Sequence, residues 1–241
     1  MQCVILAGGL GTRMKSVAGE LPKALLPVGP QTFVEWQLQW LRRRGVTQAV
    51  LALGFGGEQI RAHLEKVDKS KFPRLEFRFD GKQNLGTGGA LRNVADVLAD
   101  DFLVTYGDSF LPFDVAGFFK THLALGLGAT MSIYRNKNAG DSSNIVYKGG
   151  RILTYDKVNR GADMEYIDYG MLALKKTYLL AHSPAIAQAF DLAVFLGQAC
   201  TANQLAAVVA TEIFFEVGSP QGYRRFCEFL AQKGHDLARI S

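Results

Sequence analysis

Three glycines fall within four positions in Gly8-Gly9-Leu10-Gly11, followed by Thr12 and Arg13, one residue after the apolar run Met1-Gln2-Cys3-Val4-Ile5-Leu6. Glycines permit tight turns and close backbone approach. Successive exposed N–H groups cradle an anion, and a guanidinium grips phosphate oxygens in a bidentate way. Together with Arg13 the loop suits a polyphosphate, although a plain glycine-rich turn between elements is the simpler alternative. A second charged residue stands out in Leu21-Pro22-Lys23-Ala24-Leu25-Leu26-Pro27-Val28, where two prolines bracket one lysine in an apolar run. Proline fixes φ and stiffens the segment. A lysine held there suits an anion; a surface lysine beside a turn is the alternative.

Two common nucleotide loops are excluded. A P-loop needs a lysine directly after its glycines, and none follows here. A dinucleotide fingerprint, G-x-G-x-x-G, aligned on Gly9 and Gly11 places Met14 at the third glycine, where a side chain prevents close helix–strand packing.

The elements that must position these residues follow from apolar periodicity. Strands are predicted at Cys3–Leu6, Ala49–Leu53, Leu75–Phe79, Phe102–Tyr106, Gly128–Tyr134, Ile145–Tyr147, Arg151–Tyr155, Ile167–Leu174 and Ile213–Val217. Helices are predicted at Phe33–Arg44, Gly57–Lys66, Gly88–Leu98, Asp114–Leu125, Ala187–Cys200 and Pro220–Gln232. Alternation over the first half predicts βαβ units and a mainly parallel sheet. From Gly128 to Leu174 strands follow one another, with Lys148-Gly149-Gly150-Arg151 as a hairpin turn. The expectation is one α/β domain over 1–241 in two halves, 1–125 and 126–241, with a small antiparallel addition.

The chain has 241 residues, 48% of them hydrophobic and 20% charged, with a formal net charge of +5. That composition is ordinary for a soluble globular domain. Cys3, Cys200 and Cys227 form no C-x-x-C pair, which predicts reduced thiols and a cytoplasmic protein. The first apolar run is too short for a signal peptide or a membrane span. The positive charge is scattered except for Arg42-Arg43-Arg44, read as a solvated helix end with a partner patch as the alternative. Nucleic-acid binding would need a clustered basic face with aromatic readers, so neither nucleic acid nor membrane is expected as a partner, and homo-oligomer formation is left open. The four histidines, His63, His122, His182 and His235, have no metal spacing.

Read together, L-A-G-G-L-G-T-R-M and L-P-K-A-L-L-P-V resemble the G-x-G-T-R loop and P-K-x-L-x-P segment of the sugar-1-phosphate nucleotidylyltransferase family. Gln83-Asn84-Leu85-Gly86-Thr87-Gly88-Gly89-Ala90-Leu91 is similar to its L-G-T-[AG]-G-A segment, and Tyr106-Gly107-Asp108 to its G-D metal site. The resemblance implies a Rossmann-like, three-layer fold with a mixed, mainly parallel sheet of the nucleotide-diphospho-sugar transferase type. It implies that an NTP and a sugar 1-phosphate react to give an NDP-sugar and pyrophosphate, with Mg²⁺ as cofactor. The compact length and the opening motif are similar to the heptose 1-phosphate guanylyltransferase branch, which points to guanosine and a heptose or hexose.

By the same resemblance, Leu6, Ala7, Gly8, Gly9, Leu10, Gly11, Thr12 and Arg13 would bind the nucleotide, with Gln83 and Gly88 against the base. Arg13, Lys23 and Asp108 would be catalytic, and Asp108 and Glu216 would hold the metal. Glu216 stands in Phe215-Glu216-Val217-Gly218-Ser219-Pro220, where the family has an aspartate. Without the resemblance, Asp108 reads as a helix cap and Glu216 as a residue before a Pro-initiated helix. The resemblance assigns NTP binding to the half 1–125 and sugar-phosphate binding to the half 126–241, where the implied set is Asn144, Asp156, Lys157, Glu165, Asp168 and Gly170. Asp156 is one methylene shorter than the family's glutamate. Transfer onto a non-sugar phosphate such as phosphocholine, or a catalytically silent regulatory subunit, are the alternatives.

Overall fold

The structure is a computed structural model and describes residues 1–9, 14, 19, 21–81, 83–138 and 142–240. In chain order the strands and α-helices are β1 (Gln2–Ala7), β2 (Pro27–Val28), β3 (Gln31–Thr32), α1 (Phe33–Arg43), β4 (Gln48–Leu53), α2 (Gly57–Lys66), β5 (Arg74–Phe79), α3 (Gly86–Asn93), β6 (Asp101–Tyr106), β7 (Ser109–Phe110), α4 (Val115–Leu125), β8 (Ala129–Arg135), β9 (Ile145–Lys148), β10 (Arg151–Tyr155), β11 (Tyr166–Lys175), α5 (Lys176–His182), α6 (Leu192–Thr201), β12 (Leu205–Ala210), β13 (Phe215–Glu216) and α7 (Pro220–Gln232). None of these helices is long and apolar enough to cross a membrane.

The chain divides into two compact units, Met1–Asn84 with Thr105–Phe113 and Phe214–Ser241, and Leu85–Val104 with Asp114–Ile213. In the first, β1, β4 and β5 lie parallel, Gln2 opposite Gln48 and Gln48 opposite Arg74. β1 and β4 are buried runs such as Cys-Val-Ile-Leu and Ala-Val-Leu-Ala-Leu, as strands covered on both faces must be. The amphipathic helices α1 and α7 share a core with Met14, Val28, Phe110 and Val217. Phe226 of α7 meets Phe33 edge-on at 5.2 Å and Phe110 at 4.9 Å between ring centroids, contacts worth about 1 kcal/mol each beyond their burial. Met14, the residue that sets the glycine loop apart from a dinucleotide fingerprint, is fully buried in this core.

In the second unit β8 pairs antiparallel with β11 and parallel with β12. The predicted hairpin forms: Lys148 faces Arg151 across Gly149 and Gly150, whose φ values of 57° and 78° suit a two-residue turn that favours glycine. Two elements were not legible in the pattern. The alanine-rich β12 has weak intrinsic strand preference and owes its conformation to pairing with β8. Helix α5 is only 7 residues long. The helix predicted from Ala187 begins later, because the Asp191 side chain accepts the Ala193 N–H as an N-cap. Cys3 and Cys200 are buried free thiols, and burial raises both pKa values.

Candidate active site

The Lys23 segment folds as its prolines and apolar residues dictate. Pro22 accepts the Leu25 N–H at 2.8 Å, closing a 3₁₀ turn over Lys23–Leu25. Ala24, Leu25 and Leu26 are buried, so the lysine is anchored by its neighbours while its own side chain keeps 18% exposure. Its Nζ lies 2.5 Å from Asp108 Oδ2. The alternative reading of Lys23 as a surface residue beside a turn therefore fails: the lysine faces an anion.

Asp108 sits in a turn held from three directions. Gly107 donates to the Leu6 carbonyl at 2.9 Å, and a Cβ at position 107 would come within 2.7 Å of the Ala7 Cβ, so the approach requires glycine. The Val217 N–H donates to the Asp108 carbonyl at 2.8 Å. Gln37, 2% exposed in the middle of α1, donates from Nε2 to the Tyr106 carbonyl at 2.8 Å and the Ser109 carbonyl at 2.6 Å. Sequence reasoning missed Gln37. The available signal was a glutamine on a helix face otherwise made of Phe33, Trp36 and Trp40. Leucine at position 37 is expected to destabilise the protein by about 2 kcal/mol, through loss of two part-buried hydrogen bonds to the turn. Turnover should fall roughly tenfold as Asp108 loosens. Urea unfolding and steady-state assays of Gln37→Leu check both effects.

Glu216 is brought beside Asp108. It pairs with Ser109 across the β7–β13 ladder. Its carboxylate accepts from Gly218 N at 3.0 Å and Ser219 Oγ at 2.9 Å, bonds that shape the start of α7. Among the described residues no group of three or more His, Cys, Asp or Glu could hold a metal. Mg²⁺ does not need one: it binds one or two protein carboxylates and completes its shell with water and substrate phosphate oxygens. Asp108, in the turn before β7, and Glu216, on the partner strand β13, offer the hard oxygens that such a site uses.

The glycine loop is described at Gly8 and Gly9; Leu10, Gly11, Thr12 and Arg13 lie outside the described residues. A Cβ at Gly54 would come within 2.8 Å of Gly8 Cα, so the ends of β1 and β4 meet backbone to backbone. This approach places Asp80, just past β5, alongside: a Cβ at Gly8 would lie 3.1 Å from Asp80 Oδ2. Asp80 Oδ1 is buried with no hydrogen-bond partner among the described residues, and desolvation pushes the carboxyl pKa up to about 6. Asp80 was also missed, since one aspartate after a strand reads as turn chemistry. Gln83 is exposed. Gly88, expected against the base, instead carries the Phe190 ring: a Cβ there would come within 2.2 Å of it, and the Gly88 N–H donates to the Phe190 carbonyl at 3.0 Å.

In the second unit Asn144, Lys157, Asp168 and Gly170 come together. A register shift in β11 between Asp168 and Leu172 re-aims side chains as bulges do. Asp168 is 5% exposed, and its Oδ2 lies 3.3 Å from Lys157 Nζ and 3.4 Å from the Tyr155 hydroxyl. Its Oδ1 accepts the Gly170 N–H at 2.9 Å, made possible by a φ of 105° at Gly170. Asn144 Oδ1 accepts the Asp168 N–H. Two carboxylates expected in this set are engaged elsewhere. Asp156 accepts the Val158 and Asn159 N–H groups, which hold its pKa low, so its oxygens shape a local turn. Glu165 forms an exposed pair with Arg135, 2.7 Å away, because Arg135 is the register partner of the adjacent Tyr166.

A glycine-rich strand end, a paired lysine and aspartate, and a mixed α/β sheet are the architecture of a nucleotidyltransferase, and the fold is Rossmann-like. The crystal structure of HddC from Yersinia pseudotuberculosis matches with a TM-score of 0.77 and 25% identity, covering 95% of this chain and 99% of that one. The family model of the MobA-like NTP transferase domain matches residues 3–140, and the chain belongs to that family. D-glycero-alpha-D-manno-heptose 1-phosphate guanylyltransferase of Campylobacter jejuni is 25% identical over 231 residues, spanning 94% of this chain and 98% of the relative. Mannose-1-phosphate guanyltransferase of Schizosaccharomyces pombe is 36% identical over 132 residues, 52% of this chain and 36% of the relative.

Proposed function

We propose that the protein transfers a guanylyl group from GTP to the phosphate of a heptose or hexose 1-phosphate, forming a GDP-sugar and releasing pyrophosphate. The observation that carries this is the Lys23–Asp108 pair, 2.5 Å apart, in a turn bonded through Gly107 to Leu6 near the end of β1. A cation and a hard oxygen ligand there face the two needs of the reaction, charge neutralisation and metal binding. The attacking oxygen belongs to a phosphate monoester, already ionised at neutral pH because its second pKa is near ~6. No general base is required. The new bond forms from that oxygen to the α-phosphorus; the bond to the β-phosphate oxygen breaks, and its electron pair leaves with pyrophosphate.

The barrier is electrostatic, since two anions must meet, and fixed charges at the reacting phosphates lower it. Lys23 neutralises the α-phosphate as charge gathers there. Gly8 and Gly9 supply backbone N–H groups to the triphosphate, and Arg13 serves the departing pyrophosphate. Asp108 and Glu216 would hold Mg²⁺, which supplies Lewis-acid neutralisation of phosphate oxygens when bound. Lys157 holds the phosphate of the acceptor, with Asp168 fixing the ammonium position. Asp80 reads the base: a carboxylate accepts both the N1–H and the exocyclic amine of guanine, a donor pair that uracil, thymine and cytosine do not present.

Pyrophosphate release across a matrix of NTPs and sugar 1-phosphates tests the reading. GTP with a heptose or mannose 1-phosphate should give the highest kcat/KM, and silence in every combination would refute the enzyme reading. Lys157→Ala should raise KM for the sugar phosphate by roughly 10–100-fold, as expected for losing a charge-assisted contact. The KM for GTP should stay within about twofold of wild type. An unchanged sugar-phosphate KM would remove Lys157 from the acceptor site.

A further inference from the structure

A cavity of about 350 Å³ in the first unit is lined by Trp36, Arg42, Arg43, Lys71, His235 and Gln39, among others. None of the residues assigned to nucleotide, metal or sugar phosphate lines it. The arginine run in the sequence is divided here. Arg44 turns back over the Trp40 ring, 4.0 Å from its centroid. Arg42 and Arg43 line the cavity, and no ion pair engages either one among the described residues. Lys71, in the turn Lys69–Lys71, adds a third cation. Asp236 is the one acidic residue in the lining, and it already caps Ala238 and sits 3.8 Å from Arg239.

The remaining lining has a different chemistry. The Trp36 and His235 rings lie 6.2 Å apart, centroid to centroid. Gln39 Nε2 donates to Gln31 Oε1 at 2.8 Å, which leaves the second Gln39 N–H and the Gln31 amide N–H groups as further donors. Two guanidinium groups and an ammonium suit a phosphate. Two ring systems and two side-chain amides suit a flat or hydroxyl-bearing body attached to it. The volume lies within the range of small-molecule sites.

We propose that this cavity is a second binding site, specific for a small phosphorylated molecule such as a sugar phosphate or a nucleotide. Arg42 and Arg43 hold the phosphate, Lys71 supports them, and the Trp36–His235 wall seats the rest. The site is built into the frame of the catalytic pair. Trp36 Nε1 donates to the Val28 carbonyl at 2.9 Å. The His235 ring fills the space over Gly29, where a Cβ would come within 2.4 Å of Nε2. Trp36 is thus tied to the strand that follows the Lys23 turn, and its neighbour Gln37 grips the Asp108 turn.

Isothermal titration with three probes tests the proposal: inorganic phosphate, a hexose 6-phosphate that carries no anomeric phosphate, and ADP. At least one should bind with a Kd tighter than ~1 mM, and which one binds identifies the ligand body. A Lys23→Ala/Lys157→Ala double variant, with both assigned phosphate contacts removed, should bind that probe as wild type does. Arg42→Ala/Arg43→Ala should weaken it at least ~10-fold, with kcat for the nucleotidyl transfer unchanged. Lys71→Ala should weaken it in the same direction and guards against a folding defect in the arginine variant. No binding of any probe, binding untouched in both basic-residue variants, or binding lost in the Lys23/Lys157 variant would each overturn it.

Discussion

Asp108→Asn and Lys23→Ala should each lower turnover at least ~100-fold, the size expected when one electrostatic group is removed from a reacting centre. The two substitutions act on the same pair from opposite sides. Asparagine keeps the shape of Asp108 and its place in the turn, which depends on the Gly107 and Val217 N–H groups and the Gln37 side-chain amide. It removes the negative charge that a hard cation needs, so the loss should fall mainly on kcat and should shift the Mg²⁺ concentration for half-maximal rate upward. Alanine at position 23 removes the cation from a segment that buried Ala24, Leu25 and Leu26 still hold in place. Each single variant also leaves its partner charge, Lys23 or Asp108, without its 2.5 Å contact. The double variant should therefore be less impaired than the product of the two losses. Steady-state assays on folded protein, checked by circular dichroism, decide the matter; near-normal turnover in either single variant contradicts the assignment.

Asp80→Asn is expected to change which base is used. Guanine offers two donors to a carboxylate, the N1–H and the C2 amine. Xanthine keeps the N1–H and places a carbonyl at C2, which matches the oxygen and the amine of asparagine. The variant should lose roughly 100-fold in kcat/KM for GTP, as for two charge-assisted bonds broken or inverted, and should gain activity with XTP. Wild-type enzyme should discriminate against ITP, which lacks the amine. The same substitution has a stability signature with a definite sign. Burial raises the Asp80 pKa from 3.8 to about 6, so the folded state holds a proton that the unfolded chain has released. The cost of the buried charge is absent below the unfolded value and complete above about pH 6. Asparagine carries no charge to bury. Asp80→Asn should therefore raise the unfolding free energy at pH 7–8 by an amount on the order of 2 kcal/mol and give no gain near pH 3.5. Unfolding midpoints at the two pH values, with kinetics on GTP, ITP and XTP, measure both effects. A variant that used GTP normally would remove Asp80 from base recognition.

Much of the candidate site was legible because its features depend on residue type at short range. Lys23 between prolines, Asp108 after an apolar strand, and the Lys148–Arg151 hairpin are local features whose structure follows from fixed φ values, strand ends and glycine turns. Glu216 was legible through its motif, and the ladder pairing it with Ser109 explains why the motif lies close to Asp108. What stayed hidden depended on long-range partners. Gln37 meets Tyr106 and Ser109, about 70 positions away in the chain. Asp80 gains its character from burial beside Gly8, and desolvation has no sequence signature. Asp156 and Glu165 had the right residue type and the right neighbourhood in sequence. A turn claimed one carboxylate and Arg135 the other, and neither competitor could be weighed before the register of β11 was known.

The sequence by itself determined the reaction class, through ordered motifs, G-x-G-T-R, P-K-x-L-x-P, L-G-T-G-G-A and G-D, that together resemble the nucleotidylyltransferase family. It determined the α/β character too, because apolar periodicity reflects burial directly. Only the tertiary structure decided which charges act together. Lys23 and Asp108 become a pair, Asp168 turns onto Lys157, and Arg42 and Arg43 part from Arg44 to face a cavity. In each case the deciding quantity is a distance between residues whose side chains are set by strand register, a bulge or the packing of a helix, and electrostatic interaction depends on that separation and on burial rather than on order along the chain.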